Sequence, residues 1–179
     1  MKLTDVLPLE KWIELEKEIN RRSGLNASVF DINGIRISDF QKWGFGKPRI
    51  GVAALNPHAG EDGMFGREEI DEIAPAVKEA QALGIDVTGP LPADSIFNHA
   101  INGRFDVILV MYHDQGHIPV KVHGFEKSVS VALGLPFLRT AVDHGTAFDI
   151  AGKGIADHQS MVEALKVAVD LIEGRGLKG

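Results

Sequence analysis

Phe105-Asp106-Val107-Ile108-Leu109-Val110-Met111 runs directly into Tyr112-His113-Asp114-Gln115-Gly116-His117-Ile118-Pro119-Val120-Lys121. The first part is a continuous apolar run of strand length, the pattern of a strand buried on both faces of an α/β sheet. Polar residues begin where such a strand would leave the sheet at its carboxyl end, the edge where α/β folds place their sites. An imidazole beside a carboxylate can ligate a divalent metal, and a lysine a few residues on can bind an anion or move a proton.

Working outward, a second apolar run, Pro48-Arg49-Ile50-Gly51-Val52-Ala53-Ala54-Leu55, opens into Asn56-Pro57-His58-Ala59-Gly60-Glu61-Asp62-Gly63, so another histidine stands at a strand end. Ile70, Ile73, Val77 and Ala80 mark a helix up to Gly84, with Pro75 implying a start or a kink. Ile85 to Thr88 reads as a short strand leading into a rigid, acid-bearing turn, Gly89-Pro90-Leu91-Pro92-Ala93-Asp94. Beyond the central stretch, Ser128 to Leu133 alternates as a half-exposed strand should, and Phe137 to Val142 follows as another. A glycine-rich loop from Asp143 to Gly154 precedes a last helix with Val162, Leu165, Val169 and Ile172 as its apolar stripe. Alternating strands and helices imply an α/β domain over residues 48–179. Residues 1–47 read as a helix from Pro8 to Arg22 followed by a connector from Leu25 to Lys47, with Asn33-Gly34 as a possible turn.

The chain has 179 residues, a formal charge of -6 and no block of Lys or Arg, which argues against nucleic acid or a membrane surface as the main partner. It has no cysteine, so disulfides, thiolate zinc sites and thiol nucleophiles are excluded, and histidine and carboxylate remain as metal-capable groups. No signal-like or membrane-spanning stretch is visible, and the expected compartment is the cytoplasm.

Two motifs compete with this reading. Gly174-Arg175-Gly176-Leu177-Lys178-Gly179 spells a dinucleotide fingerprint but follows a helix with no strand before it, so it reads as a frayed tail. His113 and His117 have the i, i+4 spacing of a metallopeptidase helix, with Asp114 where that motif carries glutamate. Gly116 and Pro119 predict that no continuous helix runs through them, which disfavours the metallopeptidase reading.

The preferred grouping pairs His58 with His113, at the ends of neighbouring parallel strands. Catalytic metal sites usually hold three protein ligands. Asp94 is a candidate third ligand or supporting acid, with His117, His123 and His144 as weaker ones. Arg139, within Leu135-Pro136-Phe137-Leu138-Arg139, is expected either to form a structural ion pair or to clamp a carboxylate or phosphate.

Five motifs in collinear order carry a resemblance: Leu55 to Glu61, Gly89 to Asp94, Tyr112 to Gly116, Gly134 to Thr140 and Asp143 to Ala147. Together they resemble the 4-hydroxythreonine-4-phosphate dehydrogenase family of pyridoxal-phosphate biosynthesis, over the C-terminal half of its chain. The resemblance implies an α/β fold like that of isocitrate and isopropylmalate dehydrogenases, with a mostly parallel sheet flanked by helices. It implies NAD-dependent oxidation of 4-phosphohydroxy-L-threonine, followed by decarboxylation, assisted by a divalent metal such as zinc, cobalt or magnesium.

By the same resemblance His58 and His113 are metal ligands, and Lys121, Ser130 and Arg139 contact substrate. Asp94 and Asp114 are acids near the metal, and either Lys121 or one of these acids carries the proton. His144, Gly145, Thr146, Ala147 and Asp149 lie in the loop that holds NAD. Ser130 stands where the family carries asparagine, which points to a related substrate such as a threonate or erythronate phosphate. A homodimer with a shared active site is expected. The family's third histidine and its N-terminal half would fall before Met1, so the alternative is a non-catalytic homologue, or a subunit completed by a separate N-terminal half.

Overall fold

The computed structural model describes residues 28–31, 47–132 and 137–175. Its centre is a four-stranded sheet of β1 (Ser28–Asp31), β2 (Ile50–Ala53), β3 (Val87–Leu91) and β4 (Val107–Val110), in the order β1-β4-β2-β3. β2 lies parallel to both β3 and β4, whereas β1 closes the β4 side in antiparallel register. β1 falls inside the stretch read as connector, so part of that connector is a strand of the domain's own sheet. The expected helix at Pro8–Arg22 and turn at Asn33-Gly34 lie outside the described residues.

The apolar runs are continuous because both faces of the sheet are covered. Val52, Val107 and Leu109 face one core with Val77 and Ala80 of α1 (Ala74–Ala82), while Ala53, Ile108 and Val110 face another with Ile96 and Ala100 of α2 (Ala93–Ile101). A π-helical turn, Glu69–Ile73, feeds α1, and Pro75 sits in the first turn of α1, where its missing N–H costs nothing.

The strand expected at Ser128–Leu133 is β5 (Val129–Ala132), with its valines buried and its alternate residues partly exposed. It pairs antiparallel with β6 (Arg139–Val142) in a separate two-stranded sheet rather than extending the parallel one. α4 (Gln159–Ile172) packs on this pair. Its buried positions are Ala164 and Leu171, with Val167 packed on the core, while Leu165, Val169 and Ile172 are exposed. The expected stripe is therefore largely the outer face: the helix is apolar on two sides, and periodicity alone could not choose between them.

At the amino ends of β2 and β4, Arg49 fastens the strands together. Its Nε and Nη2 donate to Asp106 Oδ2 and Oδ1 at 2.9 and 2.7 Å, and its backbone N–H donates to Oδ2 at 2.8 Å. Hydrogen bonding from Arg49 holds the Asp106 carboxyl below its ordinary range. The opposite edge carries the chemistry.

Candidate functional site

At their carboxyl ends β4, β2 and β3 lead to His113, His58 and Asp94 respectively, on adjacent strands of one sheet edge. His113 opens α3 (His113–Gly124), which is a continuous α-helix despite Gly116 and Pro119. The expected break does not occur. A Cβ on Gly116 would lie 3.0 Å from Val110 Cγ2, so the glycine is what lets the helix lie close against β4. Pro119 forfeits one backbone hydrogen bond without ending the helix, an instance of packing overriding propensity.

Gln115 is buried and ties the two central strand exits together. Its Oε1 accepts from the backbone N–H of Met111 at 2.8 Å, and its Nε2 donates to the carbonyl of Ala54 at 2.7 Å. One side chain thus fixes the end of β4 against the end of β2.

The exit of β2 is built differently. His58, Ala59, Gly60, Glu61 and Asp62 all have positive φ, between 42 and 82°, forming a left-handed turn. Non-glycine residues enter this region at a cost of about 1–2 kcal/mol each. The buried carboxylate of Glu69 holds the base of the turn: Oε1 accepts from Leu55 N and Asn56 N at 2.8 and 2.7 Å, and Oε2 from Asn56 Nδ2 at 2.9 Å. Burial acts to raise the Glu69 pKa, but the hydrogen bonds from Asn56, Leu55 and its own backbone outweigh it and hold the group below its ordinary value.

The proposed ligands share one arrangement. His58 Nδ1 donates to Glu61 Oε1 at 2.5 Å, and His113 Nδ1 donates to Asp114 Oδ1 at 2.7 Å. An ionised carboxylate only accepts, so each partner fixes the proton on Nδ1 and leaves Nε2 with its lone pair. Metal-binding histidines are held in this way by an outer carboxylate. Both rings are mostly exposed. The donor chemistry thus fits a metal. Among the described residues, however, no group of three His, Asp or Glu side chains gathers around one point. Asp94 is exposed in the first turn of α2, at the same edge but outside such a cluster.

The continuous helix sets His113 and His117 on one face, with rings stacked at 4.0 Å and 11°. This removes the helix-breaking objection to a metallopeptidase pair, although neither has joined a three-ligand group among the described residues. Burial lowers the His117 pKa; nearby Asp143 opposes that shift, while His113 and Lys121 add to it.

Lys121 Nζ donates to the backbone carbonyl of Asp143 at 2.7 Å, linking α3 to the end of β6. Ser130 and Arg139 sit on β5 and β6. Ser130 pairs with Ala141 and Ala132 with Arg139, so both side chains fall on one face of this small sheet, opposite the buried valines. Arg139 is exposed and has no ion-pair partner among the described residues. In the glycine-rich loop His144, Gly145, Thr146, Ala147 and Asp149 are all exposed, with Ala147 at φ 44° and His144 Nδ1 donating to the Gly145 carbonyl at 2.9 Å.

Three residues that sequence reasoning did not select organise this edge: Glu69, Gln115 and Asp143. Gln115 and Asp143 stood inside quoted motifs, which was the available signal; Glu69 had none.

The sequence model described as "Pyridoxal phosphate biosynthetic protein PdxA" matches residues 28–168. D-threonate 4-phosphate dehydrogenase of Cupriavidus necator is 57% identical over 136 residues, covering 75% of this chain and 41% of that protein. 4-Hydroxythreonine-4-phosphate dehydrogenase of Beijerinckia indica is 59% identical over 128 residues, covering 72% of this chain and 38% of its own length. The crystal structure of 4-hydroxythreonine-4-phosphate dehydrogenase from Klebsiella pneumoniae superposes with a TM-score of 0.66 at 40% identity, covering 96% of this chain and 47% of that one. The chain therefore spans less than half the length of these relatives. The similarity covers the strands, α3 and the loop that build the edge described above, and on it the chain belongs to the PdxA family.

Proposed function

We propose that this chain is itself an NAD-dependent, metal-assisted dehydrogenase that oxidises, with decarboxylation, a phosphorylated small hydroxy acid on an isocitrate dehydrogenase-like fold. The observation that carries the reading is the pair of imidazoles at adjacent strand ends, each with Nδ1 committed to a carboxylate and Nε2 open. Relatives named for D-threonate 4-phosphate and for 4-hydroxythreonine 4-phosphate support the substrate class. Ser130, a short donor on the face it shares with Arg139, favours the threonate-type substrate.

When bound, a divalent cation would polarise the reacting hydroxyl and stabilise the charge that develops on decarboxylation, while NAD would take the hydride. His58 and His113 would hold the cation through Nε2. Arg139 and Ser130 bind the anionic ends of the substrate, the guanidinium being exposed and uncommitted among the described residues. Lys121 carries the proton, because Asp114 is engaged with His113 and Asp94 stands at the start of another helix. The exposed loop from His144 to Asp149 receives NAD.

The exposed apolar residues Ile118 and Val122 on α3, with Phe125 just past its end, support a homodimer with a shared site. No helix among the described residues is long and apolar enough to cross a membrane, and the cysteine-free composition agrees with the cytoplasm.

A second reading, that the site is completed by a separate N-terminal half, is favoured by the lack of a three-ligand group among the described residues. One experiment separates them. The purified chain, given NAD, zinc or magnesium and either D-threonate 4-phosphate or 4-phosphohydroxy-L-threonine, is expected to form NADH, faster with the former. Folded protein that forms none supports the second reading. In both, His113→Ala is expected to abolish zinc uptake measured by equilibrium dialysis, and an unchanged zinc content would defeat the site itself.

A further inference from the structure

Asp143 follows β6 directly. Its side chain is only 11% exposed, and it lies against the polar face of α3. Oδ1 is 3.5 Å from His117 Nδ1. Among the described residues Oδ2 is buried with no hydrogen-bond partner, and the nearest cation is Lys121 Nζ at 4.0 Å. That same ammonium donates to the residue's own carbonyl at 2.7 Å.

A buried carboxylate oxygen without a donor is destabilising by about 1–3 kcal/mol or more, so its presence calls for a physical reason. Lys121 supplies one. The lysine has two acceptors on a single residue, the carbonyl it now occupies and the empty Oδ2 a small torsional step away. A lysine drawn from the carbonyl by a substrate anion would find its counter-charge still beside it. On the other side of the carboxylate, Nδ1 is the His117 ring nitrogen that approaches Asp143, at 3.5 Å from Oδ1.

We propose that Asp143 is a positioning residue of the site, seating the Lys121 ammonium and fixing the His117 ring from beneath α3. The inference rests on the functional reading only for the role of Lys121; its geometry is independent of it. The carboxylate is supplied by the first residue after β6, so it also couples α3 to the loop assigned to NAD.

The test reads His117 and Lys121 separately in the full chain. Long-range proton–nitrogen NMR of the neutral histidine rings is expected to show His117 protonated on Nδ1 in the wild type. Asp143→Asn keeps an oxygen able to accept from that ring and is expected to retain the Nδ1 form. Asp143→Ala is expected to move His117 to the Nε2-protonated form that free imidazoles favour, with the backbone amide spectrum otherwise preserved. An Nε2-protonated ring in the wild type, or an unmoved ring in folded Asp143→Ala, overturns the proposal; if the alanine variant does not fold, the wild-type ring alone decides.

For Lys121, Asp143→Asn is expected to lower kcat about 10–100-fold, the usual effect of removing an outer-shell partner, with KM within about twofold. An unchanged kcat in an active enzyme overturns the lysine half of the proposal. If the folded wild-type chain forms no NADH, activity of the chain by itself falls in favour of a site completed by a separate N-terminal half, while the tautomer measurement still decides the position of Asp143.

Discussion

The exits of β2 and β4 solve the same problem in opposite ways. Both must stop a buried strand at the sheet edge and present an imidazole there. At β4 the chain turns at once into a right-handed helix whose first residue is His113, and regular hydrogen bonding carries the geometry. At β2 it winds through five left-handed residues from His58 to Asp62, which hold their shape only because Glu69 grips the base of the turn. One ligand rests on regular secondary structure and the other on a strained turn held by a buried charge. The difference teaches that neighbouring site residues can have unrelated sources of rigidity, and each source can be removed by itself.

The largest effect should come from the residue that serves both exits. Gln115→Leu leaves the Met111 N–H and the Ala54 carbonyl without partners in the interior, and each orphaned group costs about 1–3 kcal/mol. Urea unfolding should show a loss of about 2–4 kcal/mol with an unchanged m-value. A loss below about 1 kcal/mol would mean that the exits are not tied through this side chain.

This contrast also marks what could be read in advance. β2 and β4 were visible as continuous apolar runs, and the motifs that follow them located His58 and His113, because a doubly covered strand imposes its pattern on consecutive residues. α3 was not visible, since Gly116 and Pro119 carry the local signature of a break; the reason for the glycine is Val110, a contact that exists only after folding. β1 was hidden in a weakly patterned stretch, and its place is set by pairing with β4, far along the chain. In α4 the sequence offered two apolar faces and no means of ranking them. The roles of Glu69 and Gln115 were illegible for a further reason: their distant partners are mostly backbone atoms, 13, 14 and 61 residues away, which leave little side-chain pattern to find. His58 was legible as a ligand type but not as a residue in left-handed backbone.

Breaking only the β2 exit requires Glu69. Glu69→Gln keeps the shape but replaces an acceptor with an amide donor that faces backbone N–H groups, so a loss of about 2–3 kcal/mol is expected at neutral pH. The pH dependence follows from the depressed pKa. The folded state binds this proton less readily than the unfolded chain, so its contribution is complete above the ordinary carboxylate value and is lost as pH falls through the lower, folded one. Between pH 7 and pH 3 the wild type should therefore lose more stability than the variant. Parallel acid profiles would show that Glu69 is not the ionised clamp of this turn.

The two glycines give the finest comparison. Gly60 has φ +82°, and a Cβ there would lie 2.8 Å from Glu69 Oε2, so Gly60→Ala adds left-handed strain and presses on the clamp itself. Strain of about 1–2 kcal/mol plus the crowding predicts a loss near 2 kcal/mol. Gly116 has ordinary helical backbone, and alanine there gains about 1 kcal/mol of helix propensity. Against that gain stands a contact of 3.0 Å with the stiff, buried Val110, so the net change should stay within about 1 kcal/mol of zero. If Gly116→Ala proves as damaging as Gly60→Ala, the helical exit is as finely fitted as the strained one, and rigidity at β4 comes from close packing against the strand rather than from the regularity of α3.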